Sequence, residues 1–132
     1  MNSTIDWVLL VDDDEIQNFI HLRILGKYIS ADRITVATNG EEAITIIRKL
    51  IENKVNHENG LIFLDINMPI MNGFQFLKIF KEEYGAQFPH TKVYPLSSSE
   101  DLSDVIQMNK LGVENYIVKP LTHEQAGELL NK

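Results

Sequence analysis

The sequence lacks several features that would indicate an extracellular or membrane protein. None of its 132 residues is cysteine, so the fold uses neither disulfides nor thiolate metal sites, as is usual in a reducing compartment. Its apolar runs are far shorter than the roughly 20 residues of a membrane-spanning helix. Its first residues include no cationic segment that would begin a signal peptide. These absences predict a cytoplasmic protein without membrane insertion.

Basic residues are also scarce. The 12 Lys and Arg are outnumbered by 19 Asp and Glu, which gives a formal net charge of −7 at pH 7. Such a chain repels a phosphate backbone unless its cations are clustered, and the sequence contains no basic cluster. Direct nucleic-acid binding is therefore not expected.

Length and composition indicate one globular domain, which we assign to residues 1–132. A chain of 132 residues fits one domain of ordinary size and is too short for a receptor joined to an effector. Hydrophobic residues make up 44% and charged residues 23% of the sequence, close to the averages for folded proteins. No low-complexity stretch marks a linker, so we expect the whole chain to fold.

Short apolar runs recur along the chain and are typical of strands buried on both faces of a sheet. There are five of them: Trp7–Val11, Ile34–Ala37, Leu61–Leu64, Val93–Leu96 and Tyr116–Val118. Each run is followed by a segment with a helical pattern, so strands and helices alternate. This alternation predicts a doubly wound α/β domain, in which a parallel sheet is covered by helices on both faces.

The helical segments differ in what defines them. The first runs from Ile16 to about Tyr28, and its apolar residues are Ile16, Phe19, Ile20 and Ile24. The next three are Glu41–Ile51, Gly73–Glu83 and a segment that has Glu100 and Asp101 in its first turn and ends at Gly112. A capping-box pattern at Thr122 and Gln125 predicts the start of a short fifth helix.

Charged and hydroxyl side chains stand where four of the five predicted strands end. Asp12 and Asp13 follow the first strand, Asp65 the third, Ser97 the fourth and Lys119 the fifth. Ligands of doubly wound sheets collect at the carboxyl ends of the strands, so we expect these side chains in one pocket. Three carboxylates there repel one another unless a cation is bound, and oxygen ligands favour Mg²⁺. With a lysine and a hydroxyl beside the metal, the chemistry on offer is phosphoryl transfer onto an aspartate.

Three segments resemble the receiver domain of two-component response regulators: Leu9–Glu15, Leu64–Gly73 and Tyr116–Pro120. In order and spacing the likeness extends from about residue 6 to residue 132. The resemblance implies a CheY-like, flavodoxin-like (βα)5 fold with strand order 2-1-3-4-5. It also implies a phosphorelay signalling domain that catalyses its own phosphorylation and dephosphorylation and is not otherwise an enzyme.

The same resemblance implies a role for the acidic residues of the pocket. Asp65 would be the phosphoacceptor. Mg²⁺ would bind Asp12, Asp13, Asp65 and the backbone carbonyl of Asn67.

The resemblance also implies how the pocket communicates with the rest of the domain. Ser97 and Lys119 would hold the phosphoryl oxygens. Ser97 and Tyr116 would form the switch, because the tyrosine turns inward when the hydroxyl moves to the phosphate. The phosphoryl donor would be a histidine kinase or a phosphotransfer protein, and the output would be a protein-interaction surface for a downstream protein that the sequence does not identify.

Two other functions fit part of the sequence. A haloacid-dehalogenase-like phosphatase also uses a strand-end aspartate and Mg²⁺, but it needs a second aspartate two residues after the nucleophile, where this chain has Asn67. The other alternative is a binding module that is never phosphorylated, against which the complete set of acceptor residues argues.

Several of these residues also have simpler interpretations. The run Asp12–Glu15 could be only a solvated helix N-terminus, and Tyr116 could be only a partly buried strand aromatic. One serine of Ser97–Ser99 is expected to cap the fourth helix whatever the function. The four histidines have no metal-ligand spacing and are predicted to be surface or packing residues.

Two features depart from the receiver pattern. Pro95 lies within the fourth strand, where proline removes a ladder donor, and it predicts a bulge or local irregularity just before Ser97. The final helix contains Gly127 and is predicted to be short.

Overall fold

The structure is a computed structural model and describes residues 5–53, 59–66, 68, 70–97, 102–113 and 115–130. Within these residues five strands alternate with five helices. The strands are β1 (Trp7–Val11), β2 (Ile34–Ala37), β3 (Gly60–Asp65), β4 (Lys92–Ser97) and β5 (Ile117–Val118). The helices are α1 (Glu15–Leu25), α2 (Gly40–Glu52), α3 (Gly73–Ile79), α4 (Leu102–Lys110) and α5 (His123–Leu130). The helical path of α3 continues through a wider turn at Phe80–Tyr84.

The strands form one parallel sheet with the order β2-β1-β3-β4-β5. This is the predicted doubly wound fold and the predicted strand order, and both are confirmed. The order places β3 at the centre, with β1 on one side of it and β4 on the other, and β5 lies beyond β4. Their carboxyl ends therefore lie along one edge of the sheet.

The core is divided between the two faces of the sheet, because successive residues of a strand point to opposite sides. Leu9 and Val11 of β1 pack with residues of α2, α3 and α4, among them Ile47 and Phe76. Val8 and Leu10 belong to the other cluster, which includes residues of α1 and α5 and also Phe63, Leu96 and Leu121.

Helix α1 does not bury the residues that define its apolar pattern. Ile16 is 69% exposed and Phe19 60% exposed, whereas Asn18, His21 and Leu25 are buried. The helix begins at Glu15 and ends at Leu25, three residues before the predicted end at about Tyr28. The pattern predicted a helix correctly, but three of its four apolar residues, Ile16, Phe19 and Ile20, are exposed, because the side of α1 with Asn18, His21 and Leu25 packs against the sheet and α5.

Pro95 does not cause a bulge in β4, so that prediction was wrong. The register of β3 and β4 runs without an inserted residue from Leu61 opposite Lys92 to Asp65 opposite Leu96. On its other side, among the described residues, β4 pairs with β5 at Leu96 and Ser97 alone. Pro95 thus lies where β4 has no paired residue of β5, which is where a missing backbone donor is tolerated.

The structure also bears on the predicted helix caps. The capping box of α5 is confirmed, since the Gln125 N–H donates to Thr122 Oγ1 and the Thr122 N–H donates to Gln125 Oε1. Ser98 and Ser99 lie outside the described residues, so the cap of α4 stays a prediction. No helix in the described ranges is long and apolar enough to cross a membrane.

Candidate phosphoryl-acceptor site

The residues predicted at the strand ends meet at one edge of the sheet. Asp12 directly follows β1, Asp65 is the last residue of β3, Ser97 is the last residue of β4 and Lys119 directly follows β5. Carboxylate oxygens of Asp12, Asp13 and Asp65 lie within 4.8 Å of one another. The structure therefore brings together the side chains that the sequence placed in one pocket.

Asp12 is held by hydrogen bonds through its N–H, its carbonyl and one carboxylate oxygen. It is 1% exposed, and its N–H donates to the Ala37 carbonyl at 3.0 Å. Its own carbonyl accepts from Asn18 Nδ2 at 2.8 Å, and its Oδ1 accepts from the Asp14 N–H at 3.0 Å. The carboxylate thus has little freedom to move away from the pocket.

The acidic run Asp12–Glu15 contains both a helix cap and part of the carboxylate cluster, which are the two interpretations that the sequence left open. Asp14 is the N-cap of α1, and its Oδ1 accepts from the N–H groups of Ile16 and Gln17 at 2.9 and 3.3 Å. Asp12 is buried and Asp13 is exposed, and both belong to the carboxylate cluster. Only part of the run is therefore a helix N-terminus.

The cluster suits a hard divalent cation. Its three carboxylates supply oxygen ligands only, which is the donor set that Mg²⁺ and Ca²⁺ prefer. Asp13 faces solvent, so a bound ion could keep water ligands as Mg²⁺ usually does. Asn67, whose carbonyl was predicted as a further ligand, lies outside the described residues.

Lys119 joins the cluster from the end of β5. Its Nζ lies 2.9 Å from Asp12 Oδ2 and 3.4 Å from Asp65 Oδ1. Burial by itself would lower the pKa of the ammonium, but the two carboxylates outweigh that effect and the pKa of Lys119 is raised. The lysine is therefore a fixed positive charge at neutral pH, although two net negative charges remain among the four side chains.

Ser97 is buried next to Asp65, since β3 and β4 are neighbours in the sheet. Its carbonyl accepts from the Lys119 N–H at 2.8 Å, which connects the ends of β4 and β5. Tyr116 is 38% exposed and borders a cavity of about 10 Å³ that Ser97 and Met108 also line. The tyrosine is thus partly exposed at the border of this cavity.

The loop after β3 depends on Gly73, the first residue of α3. Its N–H donates to the Ile66 carbonyl at 2.9 Å. A Cβ at this position would lie 2.6 Å from the Asp65 carbonyl oxygen, so any other residue would push the loop away from the end of β3.

Two polar residues of α1 support the pocket and were not predicted as site residues. Asn18 holds the Asp12 carbonyl, and His21 accepts a hydrogen bond from the Leu121 N–H at 3.2 Å. Both side chains are buried. They are three residues apart and share the buried side of α1 with Leu25, and this helical spacing is the sequence signal that could have identified them.

The model of the family described as "Response regulator receiver domain" matches residues 8–131. The chain is 31% identical over 126 residues to chemotaxis protein CheY of Thermotoga maritima, covering 95% of this chain and 94% of that protein. It is also similar to the crystal structure of a two-component response regulator from Cytophaga hutchinsonii, with a TM-score of 0.79, 32% identity and coverage of 98% and 96%.

Some relatives are much longer. The autoinducer 1 sensor kinase/phosphatase LuxN of Vibrio campbellii is 31% identical over an alignment of 136 residues, which covers 100% of this chain but 14% of that protein. The chain spans less than half the length of several curated relatives that it matches. These findings do not favour a haloacid-dehalogenase-like phosphatase or an unphosphorylated binding module.

Proposed function

The chain belongs to the response regulator receiver domain family, and on that basis we propose that Asp65 accepts a phosphoryl group from a phosphohistidine. One observation supports this choice above all. Of the three clustered carboxylates, that of Asp65 is on β3, which lies between β1, followed by Asp12, and β4, which ends in Ser97. Asp65 Oδ1 also lies 3.4 Å from Lys119 Nζ. It can therefore contact a metal ion, a lysine and a hydroxyl at once.

The reaction is a transfer of the phosphoryl group between two nucleophiles. A carboxylate oxygen of Asp65 forms a bond to phosphorus while the bond from phosphorus to the donor nitrogen breaks. The electron pair of the broken bond stays on the imidazole of the donor. The product is an acyl phosphate, which water later cleaves to regenerate the carboxylate.

We propose that Mg²⁺ is held by Asp12, Asp13 and Asp65, with the Asn67 carbonyl as a further ligand. When bound, it supplies the positive charge that offsets the remaining negative charges of the pocket and those of the phosphoryl oxygens. Lys119 and Ser97 then bind phosphoryl oxygens by an ion pair and a hydrogen bond. Lys119 is already in place because Asp12 and Asp65 hold it before phosphorylation.

Phosphorylation would be transmitted through Ser97 and Tyr116. The cavity beside Tyr116, about 10 Å³, is far too small for a phenol ring. An inward turn of the tyrosine would therefore displace residues that line the cavity, among them Met108 and Asn109 of α4. The surface formed by α4, β5 and α5 is accordingly the proposed output surface for a downstream protein.

The donor is proposed to be a histidine kinase or a phosphotransfer protein in the cytoplasm. It must bring its phosphohistidine to the strand ends, so it has to contact the elements that surround them. Beside the pocket, α1 exposes Ile16 and Phe19. Apolar side chains exposed in this way are typical of a protein-binding surface.

The proposal is tested with acetyl phosphate and Mg²⁺, followed by intact-mass measurement. Wild type should gain one phosphoryl group, which hydroxylamine removes because it is an acyl phosphate. Asp65→Asn keeps the size of the side chain but removes the anionic nucleophile, and it should gain none. A variant that acquires the adduct at the wild-type rate would refute the proposal, and continuous hydrolysis of phosphate monoesters would instead favour a phosphatase.

A further inference from the structure

His21 connects α1 to the segment that carries Lys119. The histidine is 0% exposed, and its Nε2 accepts from the Leu121 N–H at 3.2 Å. Leu121 is also buried, and it follows Lys119 by two residues. A side chain of α1 thus holds the chain just beyond the pocket lysine.

Leu121 provides the first backbone donor after Lys119, because Pro120 has no N–H. On the other side of the segment, the Lys119 N–H donates to the Ser97 carbonyl at 2.8 Å. The backbone that carries the lysine is therefore held from β4 through its own N–H and from α1 through His21.

The position of this backbone determines where the ammonium lies. The ammonium is carried on a flexible four-carbon stem, so the position of the Cα sets the distance over which the stem must reach both partners at once. In this structure Lys119 Nζ lies 2.9 Å from Asp12 and 3.4 Å from Asp65. Both contacts would change if the Leu121 N–H lost its acceptor, since a buried donor without a partner is costly and a shift of the segment would relieve that cost.

We propose that His21 is a positioning residue for Lys119, which acts by accepting the first backbone N–H beyond it. The inference rests on the function proposed above, because it assigns His21 a part in binding the phosphoryl group. Nε2 can accept a hydrogen bond only when the imidazole ring is neutral, and the surroundings of His21 favour this neutral form. Burial lowers the pKa of His21 and outweighs the opposing influence of Asp12, while Lys119 also lowers it.

A purely structural role makes a different prediction from a positioning role. If His21 only fills space, any side chain of similar volume should serve. If the hydrogen-bond acceptor of His21 matters, a replacement should be tolerated only when it places an acceptor atom near the position of Nε2. Gln and Asn offer the same amide group, but that of Asn lies one methylene closer to the backbone.

The test measures the dissociation constant of beryllium fluoride, an analogue of the phosphoryl group, by ¹⁹F NMR in the presence of Mg²⁺. His21→Asn and His21→Leu should weaken binding by about tenfold, since a displacement of about 1 Å can cost up to about a hundredfold in function. His21→Gln should stay within about twofold of wild type. Leu25→Val is a control for loss of stability at another buried position of α1 and should leave binding unchanged.

A double-mutant cycle with Lys119→Ala decides whether His21 acts through the lysine. In that background His21→Leu should have almost no further effect on beryllium fluoride binding. Equal affinities for the Gln, Asn and Leu variants would overturn the inference. So would an effect of His21→Leu on beryllium fluoride binding that is as large in the Lys119→Ala background as in wild type. If wild type itself binds no beryllium fluoride and forms no acyl phosphate, the proposed function is what fails.

Discussion

Helices α1 and α2 lie on opposite faces of the same sheet and differ in how many polar residues they bury and how many apolar residues they expose. Helix α2 follows the usual rule, since Ile47 is buried and Glu41 is exposed. Helix α1 buries Asn18 and His21 and exposes Phe19. An amphipathic pattern therefore identifies a helix but does not say which side is buried. In α1 the buried polar side chains hold the pocket, and the apolar side is available to a partner.

The largest expected difference is in stability. Ile47→Ala in α2 should lower the free energy of unfolding by about 2–5 kcal/mol, because it truncates a fully buried aliphatic side chain. Phe19→Ala in α1 should change it by no more than about 0.5 kcal/mol, because the ring lies mostly in solvent. Urea denaturation measures both values. Similar losses for the two variants would contradict the contrast between the helices.

Metal binding should also distinguish the two helix N-termini. Mg²⁺ should raise the free energy of unfolding by about 2.7 kcal/mol at a concentration a hundredfold above its dissociation constant. Asp13→Asn should remove most of this effect. Glu41→Gln is the matched control in the first turn of α2 and should preserve it, since Glu41 is not part of the carboxylate cluster. Equal metal-induced shifts in the two variants would argue against the site.

The exposed side of α1 should matter for the phosphoryl donor. Phe19→Ala should slow transfer from a phosphorylated histidine-containing donor protein by about tenfold, the effect of losing an aromatic contact at an interface. Transfer from acetyl phosphate should be unchanged, because that donor needs no docking surface. Lys49→Ala, on the exposed side of α2, should affect neither rate. A loss of transfer from both donors would mean that Phe19 acts on the pocket itself.

The buried side of α1 should produce the smallest effect, a dependence of stability on acid pH. Burial lowers the pKa of His21 below its ordinary value of 6.5, so the unfolded chain binds a proton more readily than the folded domain does. This contribution to stability is complete above pH 6.5 and is lost as pH falls from there toward the lower pKa of the folded state. His21→Gln should lack this pH dependence. The free energy of unfolding of wild type minus that of the variant should therefore decrease on acidification. A constant difference across this range would contradict the prediction.

Much of the fold could be predicted because its signals are local. Buried parallel strands are continuous apolar runs, and the turn residues that follow them stand directly in the sequence. The composition of the pocket could be predicted for the same reason, since Asp12, Asp65 and Lys119 each stand at a strand end. The family resemblance then supplied the strand order.

What could not be predicted depends on contacts between distant segments. The bond from His21 to Leu121 joins residues 100 positions apart, and neither residue alone indicates it. The tolerance of Pro95 likewise depends on how few residues of β5 pair with β4. Local patterns do not contain this information, because the length of one strand and the orientation of one helix are set by the elements packed against them.

The central claim is that, of three clustered carboxylates, only Asp65 accepts the phosphoryl group. Reduction with borohydride converts an aspartyl phosphate to homoserine, so it marks the acceptor permanently. The protein would be phosphorylated with acetyl phosphate and Mg²⁺, reduced, digested and sequenced by tandem mass spectrometry. We expect homoserine at position 65 alone. Homoserine at position 12 or 13, or a phosphate retained on Ser97, would contradict the account.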